Sequence, residues 1–73
     1  MSKKTEIKEQ VISQMIENTE REIERNNILI GFYEKHAETV ENEEDKAKVL
    51  LKAKQITDNN DFNEKFLKHI KSL

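Results

Sequence analysis

Residues 12–40, ISQMIENTEREIERNNILIGFYEKHAETV, and residues 49–70, VLLKAKQITDNNDFNEKFLKHI, decide the fold. In the first stretch Ile12, Ile16, Thr19, Ile23, Asn26, Ile30, Tyr33, Ala37 and Val40 follow alternating steps of four and three. In the second, Val49, Ala53, Ile56, Asn60, Asn63, Leu67 and Ile70 do the same. Folded back at Glu43, the two series meet in layers whose residue numbers total 86. Ala37 then meets Val49, Tyr33 meets Ala53, Ile30 meets Ile56 and Asn26 meets Asn60. Beyond them Ile23 meets Asn63, Thr19 meets Leu67 and Ile16 meets Ile70. Every layer joins an a position to a d position, which is the seam of an antiparallel helical hairpin. The fold class expected is all-α.

Outward from that seam, the sequence places helix 1 at about residues 5–41, a turn near 41–45, and helix 2 at about 43–72. Ser2 or Thr5 is suited to cap helix 1, and Asn42 to cap helix 2. Glu43, Glu44 and Asp45 then fall in the first turn of helix 2, where acids complement the helix dipole. Gly31 is the only glycine and there is no proline, so little interrupts the helices. Gly31 occupies an outward b position, where it could mark a bend. The doubtful segment is Thr57-Asp58-Asn59-Asn60-Asp61, all poor helix-interior residues. A break there, with Asp61 capping a last helix, would make a three-helix chain. The unbroken heptad register favours two.

A chain of 73 residues makes one domain, residues 1–73, with a thin core. It has no cysteine, so neither a disulfide nor a thiolate metal site supports that core, and self-association is the expected additional support. No stretch approaches the roughly 20 apolar residues of a membrane span, and Met1 to Lys4 is not the start of a secretory signal. The expectation is a cytoplasmic protein with no membrane association. Rich Lys, Asn and Ile usage suits an AT-rich bacterial or phage gene. Charge is divided unevenly. Residues 5–45 hold twelve acids and four bases, whereas residues 46–73 hold seven lysines and three acids. An acidic helix beside a basic one favours their pairing, at a few tenths of a kcal/mol per exposed pair.

The seam does not absorb every large apolar residue. Val11, Met15, Leu29 and Phe32 lie at c and g of helix 1; Phe62, Phe66 and Leu73 lie at c and g of helix 2, with Leu51 beside them at f. The g edges of an antiparallel pair share one side, so these residues are expected to form a second apolar face. A homodimer, with two hairpins making a four-helix bundle, is the simplest way to cover it. The polar seam positions Asn26, Asn60 and Asn63 are expected to set register rather than to hold a ligand.

Residues that could do chemistry do not converge. Glu34, His36 and Glu38 are two apart and point to different faces of a helix. Asp58-Asn59-Asn60-Asp61 is not a calcium loop: Asn63 and His69 stand where the glycine and the bidentate acid belong. Ser13, Ser72 and His69 have no catalytic surroundings, and there is no phosphate-binding glycine loop. No enzyme activity, cofactor or metal is expected. Lys46, Lys48, Lys52, Lys54, Lys65, Lys68 and Lys71 make helix 2 basic, but they wrap around it. Nucleic-acid binding through these lysines, or nucleic-acid mimicry by acidic helix 1, is therefore the alternative. The leading expectation is a small regulator, inhibitor or assembly factor that binds itself and another protein.

Overall fold

The computed structural model describes residues 3–73 as two long helices packed against each other. Helix α1 spans Lys3–Thr39 and α2 spans Glu43–Lys71. Only Val40, Glu41 and Asn42 connect them, so the hairpin is a rod of 62 × 15 × 12 Å. The turn is shorter than the sequence suggests and lies earlier, because α1 stops at Thr39 rather than 41. Thr39 Oγ1 turns back to the His36 carbonyl at 2.7 Å, and the Val40 amide reaches the Ala37 carbonyl. These bonds use carbonyls that the end of a helix leaves unpaired. Asn42 then opens α2. Its backbone is extended, and its Oδ1 accepts from the amides of Glu44 at 2.8 Å and Asp45 at 3.2 Å. An N-cap of this kind is worth about 1 kcal/mol.

At the other end, α1 is already helical at Lys3, so Thr5 sits inside the helix and is not its cap. Ser2 lies outside the described residues. Residues 57–61 are helical throughout, and the three-helix alternative is not adopted. Burial of Asn60 against α1 and its bonds to that helix keep this weak segment helical. Thr57 Oγ1 satisfies its own hydroxyl by donating to the Ala53 carbonyl at 2.9 Å. Gly31 lies on the open side of an uninterrupted helix, and a Cβ built there meets nothing within 4 Å.

Burial follows the seam. All sixteen seam positions from Ile12 to Val40 and from Val49 to Ile70 are buried or half-buried. The core is nevertheless slight. Among the described residues Ala37, Ala53 and Ile70 are its buried apolar residues, against four buried polar ones: Thr19, Asn26, Asn60 and Asn63. The expected attraction between acidic and basic helices makes no ion pair within 4 Å across the hairpin among the described residues. The pair that forms is Arg21 with Glu17 at 3.1 Å, one turn apart on exposed α1. Long-range charge complementarity remains, but it holds no side chains in place.

Candidate functional site

Two features stand out on this rod: a polar stretch within the seam and an apolar arc outside it. The polar stretch centres on Asn60. Its Oδ1 accepts from Asn26 Nδ2 at 2.9 Å. Its Nδ2 donates to the Ile23 carbonyl at 3.1 Å and to Asn27 Oδ1 at 3.0 Å. One side chain thus makes three bonds to α1, and the Asn26–Asn60 layer forms as the heptad register requires. Asn27 is the member that the pattern misses. It sits at an e position, outside the a/d series, and only its place beside Asn26 hints at a role. One turn along α2, Asn63 is 7% exposed, and its Nδ2 has no acceptor among the described residues. The residue opposite is Ile23, whose side chain offers no oxygen. Thr19 satisfies its own hydroxyl by bonding the Met15 carbonyl at 2.7 Å.

The apolar arc is built from helix geometry. With a and d turned inward, g and c lie on one flank of each helix, and f, next to c, points away from the seam. Among the described residues nine large hydrophobic side chains are exposed, and eight of them lie at these positions. They are Ile7, Val11, Ile28 and Phe32 on α1, and Leu51, Phe62, Phe66 and Leu73 on α2. Phe32 and Phe62 are about two-thirds exposed, at 66% and 65%. Leu50, at an e position, is the ninth. Met15 and Leu29 are half-buried, since a g side chain leans toward the seam. Of the c and g residues, Val11, Phe32, Phe62, Phe66 and Leu73 are exposed, and Ile7 and Ile28 are exposed at f. Those two were legible in the sequence as f-position isoleucines on a helix whose other f residues are polar.

Among the described residues no three His, Cys, Asp or Glu side chains come together as metal ligands. His36 and His69 are both exposed and sit on different helices. The surface depressions are open grooves; one runs beside Ala37 and Ala53, whose small side chains leave room between Glu34, Lys46 and Lys54. No helix among the described residues is long and apolar enough to cross a membrane. No protein-family model, curated protein or solved structure matches this chain.

Proposed function

We propose that this chain is a non-enzymatic protein-interaction module, a small regulator, inhibitor or assembly factor, that works through the apolar arc of its hairpin. The observation that carries the reading is the segregation of exposed apolar side chains: eight of nine share the c/g/f flank. Scattered exposed hydrophobics are ordinary; clusters of them on both helices make a surface that water disfavours and another protein can cover. Burying one Phe fully is worth about 1.5–3 kcal/mol, so covering Phe32, Phe62 and Phe66 outweighs the surface ion pairs. Self-association into a four-helix bundle and docking of a partner's helix use the same surface.

Light scattering over a hundredfold concentration range checks this reading on the wild-type chain and on Phe66→Glu. The wild-type chain should associate, with itself or with an added partner, and the charged variant should lose that association. Identical behaviour of the two would remove the arc from the function.

A further inference from the structure

The apolar arc on α1 is complementary to itself, and we infer that its occupant is a second copy of this chain, packed antiparallel about a two-fold axis between Arg21 and Glu22. This inference rests on the interface reading above and specifies its partner.

The pattern lies in the spacing of the exposed and half-buried apolar residues outside the seam. In an antiparallel pair of identical helices, contacts link residues whose numbers share one total. On α1, Val11 and Phe32 total 43, Met15 and Ile28 total 43, and Met15 and Leu29 total 44. All of them lie on the c/g/f flank. Between these clusters, around the centre of α1, the flank is polar, at Asn18, Arg21, Glu22 and Arg25. Turned end over end about that centre, each apolar cluster lands on the other cluster of the second copy. The polar middle meets itself: Arg21 of each chain comes level with Glu22 of the other, while the two Glu22 carboxylates flank the axis, so the apolar clusters and not charge select this arrangement. Such reciprocity, in which residue i meets j and j meets i, is the mark of a two-fold interface.

The second helix provides an independent check, because one axis must serve both. The Asn26–Asn60 bond fixes the level of α2 against α1. The axis between residues 21 and 22 therefore crosses α2 between Glu64 and Lys65. Phe66 and Phe62 lie within a turn of it on either side, so the two copies bring Phe66 of each chain near Phe62 of the other at the centre of the dimer. Nothing in the α1 spacing required an aromatic residue at that level of α2.

The competing arrangement places both turns at the same end, with acidic α1 against basic α2 of the second copy. It gains charge complementarity but sets Phe66 level with Glu20, Phe62 with Glu24, and Leu29 with Thr57. Apolar side chains would then face polar ones along most of the contact. Apolar burial contributes more than exposed charge pairs, so the antiparallel arrangement prevails. Leu51 lies outside the antiparallel contact, because its level falls beyond the last turn of the second copy's α2.

The native chain has no cysteine, which permits a direct test. Glu22→Cys should give a disulfide-linked dimer under mild oxidation, since the two thiols would sit at the axis. Glu38→Cys, at a b position far from it, should not. In sedimentation equilibrium the wild-type chain should be dimeric and Leu50→Glu, at an e position off the arc, unchanged. Phe66→Glu should weaken the dimer by at least about a hundredfold. A dimer in which Glu22→Cys fails to link would overturn the antiparallel axis. A chain that stays monomeric across the concentration range would overturn the second copy as occupant. If Phe66→Glu then abolished binding of an added protein partner, the interface reading would survive without this inference; if it changed no association at all, both would fall.

Discussion

Asn60 and Asn63 are the same residue type, one turn apart on one helix, buried to 5% and 7% exposure, and their situations are opposite. Asn60 faces Asn26 and lies close enough to Asn27 and the Ile23 carbonyl to use its oxygen and its amide nitrogen in three bonds. Asn63 faces the aliphatic side chain of Ile23, and its Nδ2 is left without an acceptor. A buried asparagine therefore has no fixed value. With partners it locks register; without them it carries the cost of desolvation alone, about 1–3 kcal/mol. A hairpin with so few buried apolar residues feels both terms strongly. The Asn60 layer is where the two helices are aligned, and the Asn63 layer is where they are weakest.

Substitutions at the two layers should separate these roles, compared at one protein concentration because self-association adds to apparent stability. The largest effect is expected for Asn60→Ala. It removes three hydrogen bonds and leaves Asn26 buried without its partner. Urea unfolding should show a loss of about 2–4 kcal/mol. An effect below about 1 kcal/mol would mean that this network does not align the helices. Asn63→Leu should act in the opposite direction. It replaces an unsatisfied amide with an apolar side chain against Ile23, and the expected gain is about 1–3 kcal/mol in the same experiment. A loss of stability there would show that Asn63 has a partner in solution. The smallest effect is expected at Asn42, a third asparagine that is exposed and bonded only to the start of its own helix. Asn42→Ala should cost about 1 kcal/mol, seen as a modest fall in the unfolding midpoint with no change in association. Together the three variants would rank an interhelical, an unsatisfied and a local asparagine within one scaffold.

The apolar arc repeats this contrast on a larger scale. Inside the seam, apolar residues are covered by the opposite helix of the same chain. On the c/g/f flank, side chains as large as Phe32 and Phe62 have no such cover. The difference lies in the partner rather than in the residue, as it does for Asn60 and Asn63. The Phe66→Glu and Glu22→Cys experiments extend that comparison from one hydrogen-bonding layer to a whole surface.

The sequence by itself determined the two helices, their antiparallel pairing and its register. A 3.5-residue period is a local property of the chain, and folding it once leaves one alignment that buries every member. The layer arithmetic placed Asn26 against Asn60, and the hydrogen bond between them lies there. Asn42 was legible as a cap for the same reason, because its role depends only on the next three residues. Only the tertiary structure decided the rest. Thr57 to Asp61 is a poor helical segment by propensity, yet it is helical because Asn60 is held by α1 and the seam residues around it are covered. The C-terminal end of α1 falls about two residues early because bonds to the last carbonyls, not propensity, set where the helix stops. Which buried asparagine is satisfied could not be read from α2 alone, since it depends on whether the facing layer of α1 supplies an oxygen or a methyl group. A period records which side chains point inward; what they meet there is a property of two helices in contact.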